Sequence, residues 1–300
     1  MATTTSLTTT YTGKEAGGYI RAAFMANETL QGITVKENIE FKQVVRKLVD
    51  NITFANATCD FDPTGTVTLT ERILTLEKFQ IHRQLCKKDF LSDWEAKSEQ
   101  NDQLHTSLVD GMIANILAGA AANNETLIWQ GVNATAGQYD GFGPLLNADA
   151  SVINVSSPLA NITAANVEGE IARLVDACPD AVKTATEKPT IYMAFNVWEA
   201  FMQASAATGN GWYAYGGPDV PKRYLGYNIH VCPGMYNNHM LMAQKSNLWF
   251  GTNTLSQWNE IKVLDMTDLD ASDNVRFKAS FFAGVQYGFG NEIAAYGASF

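Results

Sequence analysis

Any chemistry in this chain must come from its histidines, cysteines or carboxylates, so their spacing is weighed first. His82, His105, His230 and His239 show no metal-ligand spacing. His230 and His239 could meet across adjacent strands with Cys232 beside them, yet a zinc site built so still needs a fourth ligand or a water. Carboxylates are numerous: Asp60, Asp62, Glu71, Glu77, Asp265, Asp268, Asp270 and Asp273. Two of them facing each other across a cleft would suit glycoside hydrolysis, which makes a carboxylate-dependent hydrolase one reading. The alternating acids from Asp265 to Asp273 could ligate calcium. They lack the glycine and terminal glutamate of an EF-hand loop and read better as an acidic connection between two strands. Phosphate-cradling glycine loops, HExxH, GxSxG and paired CxxC motifs are absent from the sequence. No catalytic residue, metal ligand or cofactor is assigned.

Bulk properties narrow the classes further. The net charge of −10 argues against nonspecific nucleic-acid binding over the whole surface, which needs clustered cations to displace counterions. Charged residues are 17% of the chain, below the usual ~25%; a surface partly covered by other chains would have that composition. Cys59, Cys86, Cys178 and Cys232 lie far apart and read as buried or free thiols, not as a disulfide framework. No apolar run approaches the ~20 residues that span a bilayer, so no membrane partner is expected. The first residues, MATTTSLTTTYTGKEAGG, lack the basic start and apolar core of a signal peptide. The expectation is a protein made and kept in a cytoplasm.

Several elements could position what remains. Leu104, Leu108, Met112, Ile116 and Ala120 recur every four residues, flanked by Val109, Ile113 and Leu117. That is one apolar stripe of a long helix, ending near a Trp-Gln-Gly break at Gly131. Its structural residues are expected to be Leu108, Met112, Ile113, Ile116 and Leu117. Residues 1–18 read as an extended threonine-rich arm, and 34–50 as a short helix with Ile39, Val44, Val45 and Leu48 on one face. Residues 51–72 read as a hairpin around Asp62-Pro63-Thr64-Gly65 with little apolar content to bury. Phe54, Asp62, Pro63, Gly65 and Val67 are its candidate interface residues. Residues 73–90 read as a strand passing into a turn and short helix. Lys78, His82, Arg83, Lys87 and Lys88 make this segment basic; a solvated or subunit-facing strand is preferred to a nucleic-acid patch. Beyond Asn161 the pattern alternates. Thr163 could cap a helix with Val167, Ile171, Leu174, Val175 and Cys178 inward. Residues 189–195 form a buried strand, and Asn196 with Glu199 resembles a capping box. A Gly/Pro/aromatic loop over 208–223 carries Trp212, Tyr213 and Tyr215, and a series of strands closes the chain.

The order of these pieces, from about Val35 to Tyr296, resembles the major capsid protein of tailed double-stranded DNA bacteriophages. The resemblance rests on ILTLEKFQIHRQLCKKDFLSDW, on AGAAANNETLIWQG followed by GQYDGFGPLL, on YLGYNIHVCPGMYNNHMLMAQKSNLWFGT, and on VRFKASFFAGVQYGFGNEIAAYG. It implies an α+β, HK97-like fold. Residues 1–35 would be an N-terminal arm and 36–139 the first part of a peripheral domain. That part would hold an extended loop at about 45–75 and a spine helix at about 95–122. Residues 140–257 would be an axial α/β domain, with Trp212, Tyr213 and Tyr215 in its axial loop, and 258–300 would return as peripheral strands. The implied role is a shell subunit forming pentamers and hexamers around DNA that it contacts without sequence specificity, assembled in a bacterial cytoplasm and carried in the virion. An encapsulin-type nanocompartment shares this resemblance. The sequence has no room for a long helical scaffolding segment, which implies either a separate scaffolding protein or a processed chain, beside a portal and decoration proteins. Residues 51–71 contain no lysine, so a shell without lysine–asparagine cross-links is expected.

Overall fold

Alternation of apolar and polar residues makes Asn274–Tyr287 a long strand, and one of two six-stranded sheets is organised around it. The computed structural model describes residues 9–12, 27–39, 41–54, 56, 65–86, 106–207, 222–253, 260–266 and 271–297. Its strands are β1 Thr9–Thr12, β2 Thr34–Lys36, β3 Lys42–Ile52, β4 Gly65–Thr75, β5 Glu77–Cys86, β6 Ile153–Asn154 and β7 Thr190–Ala194. They continue with β8 Arg223–Tyr224, β9 Tyr227–Cys232, β10 Met240–Ala243, β11 Leu248–Thr252, β12 Glu260–Asp265, β13 Asn274–Tyr287 and β14 Ala294–Tyr296. The helices are α1 Glu28–Gly32, α2 Thr106–Gln130, α3 Phe142–Ala148, α4 Val167–Ala177, α5 Asp180–Thr184 and α6 Phe195–Ala207.

In the first sheet, β5 lies along one edge of β13 from Asn274 to Ala283, and β12 and β11 lie end to end along the other. β1 adds antiparallel to β12, and β2 adds parallel to β11. The second sheet has the order β6-β14-β10-β7-β9-β8. Its central strands are buried on both faces, as their unbroken apolar runs require. Tyr192 of β7 faces α1 and α2: its hydroxyl donates to the Gly32 carbonyl at 2.6 Å, and its ring lies 6.4 Å from Trp129. Its neighbours Ile191 and Met193 point the other way, towards the side where α4 and α6 pack. A single core cluster joins α2 to both sheets.

α2 runs from Thr106 to Gln130, ending at the expected Trp-Gln-Gly break and eight residues beyond the spine-helix bound of about 122 that the resemblance implies. In the polar run Asn-Asn-Glu-Thr, Asn124 and Glu125 turn inward, and the Asn124 amide nitrogen is buried with no hydrogen-bond partner among the described residues. Asn124 accepts from the Tyr139 hydroxyl at 2.8 Å, and Glu125 accepts from the Thr29 backbone N–H and hydroxyl. The Trp129 indole N–H donates to the same Thr29 hydroxyl at 3.0 Å. This cluster ties α1 to α2. Burial pushes the Glu125 carboxyl above the usual carboxylate range, against the hydrogen bonds from Thr29.

Three further expectations are corrected. Residues 34–50 form no helix: β2 and β3 occupy them. β-branched Val44, Val45 and Val49 lose little as strand residues but crowd a helix, and β4 supplies a ladder for them. Thr163 does not cap α4 with its side chain; its carbonyl accepts from the Asn166 and Val167 N–H groups. The Asn196–Glu199 capping box is not formed. β7 passes directly into α6 at Phe195, and Asn196 pairs with Asn238 instead, donating at 2.9 Å and accepting from its N–H at 3.1 Å. The α4 stripe and the strands expected at 189–195 and after residue 226 are present within a few residues of their expected bounds.

Candidate assembly interface

β3 and β4 pair with each other alone, as a separate two-stranded sheet. Their register runs from Lys42↔Thr75 to Ile52↔Gly65. Each strand has 11 residues, so the ribbon reaches roughly 35 Å from its root. An isolated two-stranded hairpin is marginal in water, so both its root and its exposed length need explanation.

The root is fixed by packing and by charge. Leu74 and Leu76 are fully buried with Ile39, Trp249 and Phe282 in a second small core. β13 approaches the root so closely that a Cβ on Gly284 would sit 2.3 Å from the Thr75 carbonyl oxygen, so only glycine fits there. Arg72 forms an ion pair with Asp149 at the end of α3 and lies 4.9 Å from the Tyr287 ring. The Tyr287 hydroxyl donates to the same Asp149 carboxylate at 2.8 Å, and the Ser151 N–H donates to its other oxygen at 2.9 Å. Burial alone would raise the Asp149 carboxyl. The hydrogen bonds from Ser151, Tyr287 and Arg72 outweigh burial and hold it well below the usual carboxylate range.

The exposed length is amphipathic. Partners in the register share a face, so Val44, Val67, Leu69 and Ile73 fall on one side of the ribbon. Val67 and Leu69 are 61% and 58% exposed, and Ile73, Val44 and nearby Phe41 are exposed as well. Arg46 and Glu71 pair across this face at 3.3 Å. The other face of β4 is mostly threonine. The expectation that the hairpin has little apolar content is thus corrected: its apolar residues are present but uncovered. The apolar face continues below residue 51 into Val44 of β3, which fits a helix stripe until β4 is set beside it.

Among the residues expected at interfaces, Phe54 is 99% exposed beyond the end of β3, Gly65 opens β4, and Val67 lies on the apolar face. Asp62 and Pro63 lie outside the described residues, as do Trp212, Tyr213 and Tyr215. Leu108 and Met112 fall within α2, while their side chains are outside the description. Ile113 and Leu117 are buried in the main core, with Ile116 packed against it. Sequence reasoning missed the Arg72–Asp149–Tyr287 anchor, whose members are 77 and 138 residues apart in the chain.

Two of the histidines first weighed for chemistry make contacts to backbone carbonyls. His230 Nε2 lies 2.7 Å from the Glu28 carbonyl, and His239 Nδ1 lies 2.7 Å from the Asn237 carbonyl. Among the described residues no three potential ligands cluster for a metal ion. Burial pushes the Cys178 thiol up to about 11 and the Cys232 thiol up as well, which leaves both as unreactive thiols at neutral pH.

No protein-family model matches the chain, and no curated protein matches it in sequence. Solved structures do match it over nearly its whole length. The capsid of a native GTA particle, computed with C5 symmetry, aligns with a TM-score of 0.61 at 15% identity, covering 99% of this chain and 94% of that one. The satellite phage P4 procapsid that includes the size determination (Sid) protein aligns with a TM-score of 0.57 at 10% identity, covering 93% and 97%. The fold is the HK97-like capsid fold. Mycobacterium phage Che8 gives the same result, with a TM-score of 0.54 at 12% identity over 99% and 94% of the two chains. An HK97-like fold is mixed α+β, as this chain is, and here it carries an uncovered hairpin anchored at its root.

Proposed function

We propose that this chain is the structural subunit of an icosahedral capsid, assembling into pentamers and hexamers that enclose double-stranded DNA. The observation that carries this reading is the amphipathic β3–β4 ribbon on an HK97-like fold. Among the described residues nothing covers its apolar face, and a neighbouring copy is the cover the fold suggests. Contacts between different surfaces of identical subunits close into rings, and rings of five and six close into a shell. In this reading residues 1–35 are the N-terminal arm, 36–139 begin the peripheral domain with the extended loop, and 140–257 form the axial domain. Residues 258–300 return to the peripheral sheet. The β1–β12 pairing supports an arm that gains order by adding to an existing strand. Trp212, Tyr213 and Tyr215 belong to the axial loop. A separate scaffolding protein, a portal and decoration proteins are its assembly partners, and the virion is its location.

Hairpin shortening tests this. Asp50 and Val67 are register partners, so replacing 51–66 with Asn-Gly closes the ribbon with a two-residue turn. The root packing is untouched, and the variant should remain a folded subunit that no longer forms shells. Normal shells from this variant would remove the hairpin from the assembly mechanism.

A further inference from the structure

The edge of a sheet exposes unpaired backbone N–H and C=O groups, and proteins keep such edges short or covered. The second sheet follows this rule: its outer strands β6 and β8 have two residues each. β5 does not. It has 10 residues, and among the described strands it pairs with β13 alone. A cavity of about 540 Å³ lies beside it, walled by all five consecutive residues from Glu77 to Ile81. Successive side chains of a strand point to opposite faces, so a wall of consecutive residues is the strand's open edge and not one of its faces. Asn124 and Leu127 of α2, with Tyr139 and Phe281, line the interior. The Phe79 ring lies 5.8 Å from each of the Tyr139 and Phe281 rings. The Tyr139 hydroxyl donates to the Asn124 oxygen, and the Asn124 amide nitrogen is buried with no partner among the described residues. The wall facing β5 is built in advance. The Gly141 N–H donates to the Gly131 carbonyl at 2.9 Å, the Val132 N–H to the Gln138 side chain at 3.0 Å, and the Asn133 N–H to the Asp140 carboxylate at 2.8 Å.

We propose that this edge receives an extended acidic peptide from a partner protein, which adds to β5 as a further strand. The proposal goes beyond the shell reading and does not depend on it. An open edge offers a series of backbone hydrogen bonds that an extended backbone returns, while pockets for alternate side chains set specificity. The stretch from Glu77 to Ile81 is about 14 Å long and takes about five residues of extended chain. The apolar interior takes a side chain from that peptide, and a peptide carbonyl at its floor would satisfy the Asn124 amide. Charge sets the remaining positions. Lys78 and Arg83 are exposed on opposite faces of β5, and Glu77 is the one acid in the strand. On the Lys78 face the neighbouring strand adds exposed Arg276 and Lys278. Pairing with the β5 of a second copy would bring these cations beside like charges, which destabilises a strand pair.

The probe is fluorescently labelled acetyl-Glu-Val-Glu-Val-Glu-amide, titrated into the full-length chain and read by anisotropy. Saturable binding with a dissociation constant of about 1 mM or tighter is expected. Methylating every backbone nitrogen of the peptide removes its edge donors and leaves its charge and side chains unchanged; binding should weaken at least about tenfold. The lysine counterpart, acetyl-Lys-Val-Lys-Val-Lys-amide, should bind at least about tenfold more weakly at low salt. Ala120 lines the cavity from α2, so Ala120→Trp should fill it and abolish binding, with the circular dichroism of the parent chain retained. Lys78→Glu, at an exposed position that does not threaten folding, should weaken binding about threefold to tenfold. Hydrogen exchange of residues 77–81 should slow when the probe is bound. Equal binding of the methylated peptide, or unchanged exchange along β5 with the probe bound, would overturn strand addition. Equal binding of the lysine peptide would overturn the acidic occupant, and no saturable binding by the full-length chain would overturn the proposal outright. Each of these results leaves the shell reading as it stands.

Discussion

Replacing Val67 and Leu69 together with serine separates an interface from a core. Both side chains are more than half exposed in the subunit, at 61% and 58%. Fully burying a Val or Leu side chain is worth about 1.5–3 kcal/mol. Covering the exposed share of each is then worth about 1–2 kcal/mol, or about 2–4 kcal/mol for the pair. At 1.4 kcal/mol per decade, each hairpin contact should weaken about 30- to 700-fold. The subunit itself should barely notice, since exposed substitutions fall within about 0.5 kcal/mol; its melting temperature should move by less than about 2 °C. The assay is assembly against concentration by light scattering, with thermal unfolding of the unassembled subunit as its control. Two results would refute the reasoning. Unchanged assembly would mean the apolar face is not buried between copies. A large drop in melting temperature would mean it is already buried within one.

Other expectations concern the anchor, the helix and the shell's covalent state. Ile113→Asp puts a charge on the buried side of α2, where Ile113 is 4% exposed; the subunit should fail to accumulate as a folded species by circular dichroism and gel filtration. Asp149→Asn should destabilise the subunit by about 1–3 kcal/mol at neutral pH. The Asp149 carboxyl is held down in the folded state, so its stabilisation is complete above the ordinary carboxylate value of ~3.9. It is lost as pH falls through the lowered folded value, so the gap between parent and variant in denaturant titrations should narrow only below about pH 4. Residues 51–71 contain no lysine, and the hairpin's two lysines, Lys42 and Lys47, lie on β3 away from its tip, so assembled particles should run as a single band on a denaturing gel; a ladder of covalent multimers would contradict this.

The legible parts of the fold were those whose burial is decided within one element. The α4 stripe and the β7 run each show their inward faces directly. The long helix was legible to its end at the Trp-Gln-Gly break, but the inward turn of Asn124 and Glu125 was not, because their partners lie 15 and 96 residues away in the chain. The hairpin was placed but shortened: Val44, Val45 and Val49 fit either a helix stripe or a strand until β4 is set beside them. The interface was hardest to read. An exposed Leu69 and a buried Leu74 look alike in sequence, and only the root packing of β4 distinguishes them.

Electron cryo-microscopy of the purified full-length chain tests the central claim most directly. The account predicts closed icosahedral shells in which residues 42–75 of each copy lie across a neighbour. Monomers or small discrete oligomers, with the apolar face of β3 and β4 open to solvent, would contradict it.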